Sequence, residues 1–246
     1  DDPVWHSATL YTSRLSLPLG GRRRRTELVL NLLRGLAVLG VLIAVLFGSA
    51  GRWDLPYFWA YVGINAPLVV AGAYTVDPEL QRERWRPAKR DREFWHVVLV
   101  ALSCWLVHLV VAGLDVGRFH WSTPLPPAVQ VLGLAISFAS WGLVLRAMVV
   151  NRFFSPVVRI QTERGHHVVT TGPYRYVRHP GYSGAIVSLL SSPLALGSWW
   201  ALAPVIPLAL VIGRRAATED RFLRAQLPGY AAYAARVRYR LLPGIW

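Results

Sequence analysis

Residues 170–190 read TTGPYRYVRHPGYSGAIVSLL. Arg175, Arg178 and His179 stand among Tyr174, Tyr176 and Tyr182, and only Pro180 and Gly181 separate this polar knot from apolar sequence. Pro180 suits the first turn of a helix, where its missing N–H removes no hydrogen bond. The residue before a proline is held out of the helical region. The stretch therefore predicts an apolar helix starting at Pro180, with polar chemistry at its mouth. Open N–H groups and the positive dipole end of such a start favour an anion around 179–183.

Outward from this stretch the chain is apolar in blocks. Of 246 residues, 54% are hydrophobic and 16% charged, where soluble domains carry roughly a quarter charged. Apolar segments at about 27–48, 55–76, 94–114, 127–150, 181–196 and 198–217 approach the ~20 residues that span a bilayer. The pattern predicts an all-α integral membrane protein with about six transmembrane helices. The last two form a C-terminal helical hairpin, and an amphipathic helix from about 216 to 235 completes a pocket with Glu219, Phe222, Leu223 and Tyr230 facing it.

The net charge of +14 follows topology. Arg22 to Arg25 precede the first segment; Arg82, Arg84, Arg86, Lys89, Arg90 and Arg92 follow the second; Arg152, Arg159, Arg164, Arg175 and Arg178 follow the fourth. The opposite loops hold only Arg52 and Arg118. This positive-inside pattern puts both termini in the cytoplasm, and in a bacterium the membrane would be the inner one. Basic surface facing anionic headgroups makes membrane lipids the expected partners. No nucleic-acid recognition module is present in the pattern.

Three regions are expected: a cytoplasmic segment 1–26, a scaffold of four helices over 27–150, and a core over 151–246. Within the scaffold, Arg34 is expected to snorkel to the headgroups, and His96 and His108 to be buried and hydrogen-bonded. The loop 77–93 reads as a solvated connection. The single Cys104 excludes an internal disulfide.

The segment 151–180 is too long for a tight turn and dense in polar and aromatic residues, as functional loops are. The antiparallel hairpin brings RHPGY beside RRAATED at 214–220. Arg215 and Glu219 stand four apart on one helix face, with Asp220 next to them. Three histidines, 166, 167 and 179, lack a carboxylate or cysteine at ligand spacing, so no metal is expected.

The combination of GPYRYVRHPGY at 172–182, Arg215 and Glu219 as R-x-x-x-E, and LPGYAAYAARVRYRLLPGIW at 227–246 resembles the isoprenylcysteine carboxyl methyltransferase family and the related membrane phospholipid methyltransferases. The resemblance covers roughly 151–246. It implies a membrane methyltransferase using S-adenosylmethionine on a lipidic or small amphiphilic carboxylate, thiol or amine at the cytoplasmic face. The C-terminal helices would then form the cofactor pocket. Carried over by position, the cofactor contacts would be Gln161, His166, His167, Val168, Val169, Tyr174, His179, Pro180, Gly181, Tyr182 and Glu219. Arg215 would be the catalytic residue engaging the acceptor. The loop 152–180 would order on the cofactor. The sequence departs from the family in a shorter spacing after Gln161 and in Glu219-Asp220 where two glutamates are expected. Two other classes stay open: a membrane NADPH-dependent sterol-type reductase and a non-catalytic membrane lipid-binding protein.

Overall fold

The computed structural model describes residues 21–87 and 92–246. Residues 1–20 of the expected cytoplasmic segment, with Lys89 and Arg90, lie outside the described residues, as do the side chains of Arg22, Arg23, Arg24 and Arg92. The helices run α1 Gly21–Ala50, α2 Pro56–Thr75, α3 Pro78–Trp85, α4 Arg92–Leu114, α5 Pro127–Val150, α6 Pro180–Leu196, α7 Leu202–Gln226 and α8 Tyr230–Arg236. No β-strand occurs among the described residues.

Every apolar segment is helical over most of its length, but fewer than six have the length and composition of a crossing. Arg25–Ala50, Phe94–Phe119 and Pro127–Val150 qualify, and α2 with α3 makes a fourth if the bent pair is taken as one span. The chain is an integral membrane protein. The 17 residues of α6 reach only about 25 Å. Charges enter α7 at Arg214, so its apolar part is short.

The loop 77–93 is not a plain connection. Asp77 caps α3, its Oδ1 accepting from the N–H groups of Glu79 (2.8 Å) and Leu80 (3.0 Å), and Pro78 sits in the first turn. α3 bends 115° from α2. The Gln81 side chain steadies the corner by donating to the carbonyls of Gly72, Ala73 and Val76 at the end of α2.

The expected amphipathic helix 216–235 is two helices. α7 runs unbroken from the apolar sequence to Gln226; Pro228 and Gly229 then turn the chain, Gly229 at φ 81°, a conformation that costs glycine nothing. Of the scaffold residues singled out, Arg34 donates to Asn31 and lies over the Trp85 ring. His108 is buried between Ala201 O and Ser192 Oγ. His96 is exposed rather than buried.

The most extensive helix pair is α5 with α6. Lipid offers apolar side chains no less than a neighbouring helix does, so close approach of small residues must hold such a pair. Gly133, Ser137 and Ser140 face Gly184, Ser188 and Ala195, with Ser137 and Ser188 hydrogen-bonded at 3.2 Å. A Cβ on Gly184 would stand 2.5 Å from Ser140 O and 2.8 Å from Val144 Cγ2. Gly184→Ala is therefore expected to destabilise the detergent-solubilised protein by about 1–3 kcal/mol in denaturant unfolding. Gly142→Ala, which meets open space, should cost nothing; equal losses would remove close packing as the cause.

Candidate active site

At the end of the bundle where α6 begins, a cavity of about 330 Å³ opens among α4, α5, α6, α7, α8 and the segment 151–169. One wall is apolar, from Phe94, Val97, Val98 and Ala101 of α4 with Trp141 and Val144 of α5. A second, polar wall carries Tyr182, Arg215, Glu219, Arg178 and His179.

Tyr182 is the centre of the polar wall. Its hydroxyl donates to Glu219 Oε2 at 2.7 Å and accepts from Arg215 Nε at 3.1 Å. Arg215 also donates to the Pro156 carbonyl from the overlying loop. A cation, a phenol and a carboxylate thus stand in a row, fixed by α6 and α7. The juxtaposition of RHPGY and RRAATED expected from the hairpin is present.

Asp220, one residue on, points elsewhere. It has no exposed surface, and Arg178 grips it through Nε (2.6 Å) and Nη2 (3.2 Å). Arg224, Arg240 and the Tyr230 hydroxyl complete its shell at 3.1, 3.2 and 3.0 Å, with His179 Nε2 at 3.4 Å. Burial alone would raise the Asp220 pKa; the hydrogen bonds from His179 and Arg178, with their charge, outweigh it and hold the carboxyl well below the usual range. The remaining Arg178 nitrogen donates to the carbonyls of Val237 and Arg238 at 2.7 Å. The N–H groups of Arg178 and His179 donate to Tyr239 O and Arg240 O, and Ser183 Oγ to Leu241 O. The C-terminal tail is thereby laced along the mouth of α6.

The segment 151–169 forms the cavity's roof. His166, His167, Val168 and Val169 line it, the two imidazoles flanking the Phe153 ring with centroids at 4.6 and 4.9 Å. His167 Nδ1 lies 3.0 Å from Gly165 O. His166 Nδ1 accepts the Gln161 N–H at 3.3 Å, which requires a neutral ring nitrogen. Burial, then the positive surroundings of His167, Arg159 and Arg164, lower the His166 pKa to about 4. The unfolded chain takes up a proton below about pH 6.5, whereas the folded ring does so only near 4. The stability this adds is full above about 6.5 and is lost as pH falls toward 4. In NMR titration, the His166 ring is expected to stay neutral between about pH 5 and 8; a midpoint near 6.5 would show an open, solvated imidazole.

Of the residues expected to hold a cofactor, His166, His167, Val168, Val169, Tyr174, His179, Gly181, Tyr182 and Glu219 line the cavity, together with Arg215. Gln161 and Pro180 do not. Gln161 is 1% exposed, its Nε2 donating to Phe153 O and its Oε1 accepting from Arg164. Tyr174 accepts from Asn151 and its carbonyl accepts the Tyr233 hydroxyl. These polar groups therefore have partners within the protein. Phe222 is also absent from the lining, whereas Leu223, Tyr230 and Tyr233 belong to it. Arg178 and Arg84 line it too. Among the described residues no group of three or more His, Cys, Asp or Glu is placed to hold a metal ion.

The family model for isoprenylcysteine carboxyl methyltransferase (ICMT) matches residues 131–225. The cobalt-zinc-cadmium resistance protein CzcN of Cupriavidus metallidurans is 31% identical over 135 residues, 53% of this chain and 57% of that protein. A probable protein-S-isoprenylcysteine O-methyltransferase of Oryza sativa subsp. indica is 36% identical over 107 residues, 39% of this chain and 53% of that protein. The chain thus spans a little over half the length of these relatives. A solved structure of the eukaryotic intramembrane Ras methyltransferase ICMT shares the fold, with a TM-score of 0.53 at 17% identity over 86% of this chain and 74% of that one. The matched segment contains α6, Tyr182, Arg215, Glu219 and Asp220, the elements that build the polar wall, so the likeness to the ICMT family falls on the site itself.

Proposed function

We propose that this chain is an integral-membrane, S-adenosylmethionine-dependent methyltransferase acting on a lipidic or small amphiphilic acceptor at the cytoplasmic face. One observation carries the reading: a single cavity joins the Arg215–Tyr182–Glu219 row to the apolar strip of α4. Its volume lies at the small end of ordinary ligand pockets. In this reading residues 151–246 are the catalytic core and 27–150 the scaffold, α6 and α7 add the fifth and sixth crossings, and both termini are cytoplasmic.

The donor set suits the cofactor. Glu219 would take its ribose hydroxyls or ammonium, Val168 and Val169 its adenine, and the N–H groups of Gly181 and Tyr182 in the first turn of α6 its carboxylate. His166, His167, Tyr174, His179 and Tyr182 complete the lining, while Gln161 and Pro180 support the cradle from behind. When bound, S-adenosylmethionine supplies an electrophilic methyl on a sulfonium. Tyr182 orients Glu219 through its short hydrogen bond. Arg215 holds the acceptor's reacting end. The apolar wall excludes water, so ionised reactants are disfavoured relative to a transition state in which their charges cancel. An acceptor that is already anionic needs no general base.

Isothermal titration of the purified protein with S-adenosylmethionine and S-adenosylhomocysteine tests the proposal. Saturable binding is expected. Binding of a nicotinamide dinucleotide without either ligand would point to a reductase instead and sink it.

A further inference from the structure

Arg84 enters the cavity from α3, outside the segment that matches the ICMT family. The other cavity arginines are engaged. Arg178 is gripped by Asp220, Arg159 pairs with Glu83 and Glu163, and Arg215 donates to Tyr182 and to Pro156 O. Arg84 has neither a hydrogen bond nor an ion pair among the described residues; its guanidinium lies over the Phe154 ring at 5.3 Å. Phe154 in turn packs on Gly181, at the start of α6. A guanidinium stacked on a ring keeps its in-plane N–H fork open to a planar anion.

The position of Arg84 is built. The preceding residue, Glu83, is mostly buried and accepts from Arg159 at 3.2 Å and from Ser155 Oγ at 3.1 Å. This ties α3 to the roof. Phe94, Val97, Val98 and Ala101 line the same cavity at i, i+3, i+4 and i+7, one continuous apolar face of α4. An open cation and an apolar stripe in one cavity fit an amphiphile with an anionic head.

We propose that Arg84 is an acceptor-selecting residue: its guanidinium joins Arg215 on the anionic head of the methyl acceptor, as a second cation, while the acceptor's apolar part lies along α4. The inference rests on the methyltransferase reading. An S-prenylated N-acetylcysteine and its carboxamide are suitable probes, equal in shape and differing in charge.

The test is binding of both probes to the full chain saturated with S-adenosylhomocysteine, in the unaltered protein and in Arg84→Gln and Arg84→Lys. The unaltered protein should prefer the carboxylate. Arg84→Gln should weaken the carboxylate about ten- to a hundredfold, leave the carboxamide within about twofold, and leave S-adenosylhomocysteine affinity unchanged. Arg84→Lys should recover part of the preference through its charge. No preference in the unaltered protein, or equal losses for both probes, would overturn the assignment. A fall in S-adenosylhomocysteine affinity would also overturn it, since Arg84 would then serve the cofactor. If the unaltered protein does not bind S-adenosylhomocysteine at all, the methyltransferase reading fails first and the assignment falls with it. Intact cofactor binding with an unmoved carboxylate preference sinks Arg84 alone.

Discussion

Asp220→Asn is expected to lower stability by about 3–5 kcal/mol in denaturant unfolding of the detergent-solubilised protein. The substitution keeps the side chain's shape and removes its charge. Arg178, with a side chain only 3% exposed, would then keep its guanidinium buried without a counter-charge. That loss exceeds any single surface pair, because neither ion can recover water. Arg224 provides the contrast: it touches the same carboxylate, but its side chain is 42% exposed. Arg224→Ala should cost less than about 0.5 kcal/mol. Similar losses in the two variants would mean that the buried Arg178 pair is not what holds α6 to α7.

Glu219→Gln should weaken S-adenosylmethionine binding about ten- to a hundredfold, the value of a charge-assisted hydrogen bond of roughly 1.5–3 kcal/mol. The amide oxygen can still accept from the Tyr182 hydroxyl, which now lies 2.7 Å from the carboxylate. The change therefore isolates charge from architecture. Arg215→Lys gives the complementary result. Lysine keeps the charge but cannot reach Tyr182 and Pro156 O with a planar fork. Cofactor affinity should stay near native while turnover or acceptor affinity falls. Near-native cofactor affinity in both variants would leave Glu219 without its assigned role.

The helices that qualify as crossings were plain in the sequence because lipid imposes an unbroken apolar run. The polar wall was legible for a different reason: Pro180 sets the helix start, and an antiparallel partner must return its end to the same face. Direction along a helix was harder. Glu219 and Asp220 are adjacent, so they point about 100° apart, one to the cavity and one to Arg178. The expected pattern placed Glu219 toward the pocket and left the direction of Asp220 open. Gln161 shows the same limit, since a polar residue in a polar loop can turn to a backbone carbonyl instead of a ligand. α3 carried its own start signal in Asp77-Pro78-Glu79, but its surrounding charges read as solvated loop. They are instead spent largely on the roof, as Glu79 with Arg152 and Glu83 with Arg159. The break at Pro228-Gly229 was likewise written in the chain and overridden by amphipathic pattern.

The lacing of the tail along α6 has a consequence for biosynthesis. Arg178 and His179 are held by carbonyls between residues 237 and 240, and Ser183 by Leu241. During synthesis the membrane helices can insert and pair as they emerge, in order from the N-terminal side. The mouth of α6 has no partner for these donors until residues 237–241 have left the ribosome. A nascent chain could therefore be fully inserted and still lack a formed cradle. Formation of the cradle then waits on the docking of residues 237–241 against the start of α6.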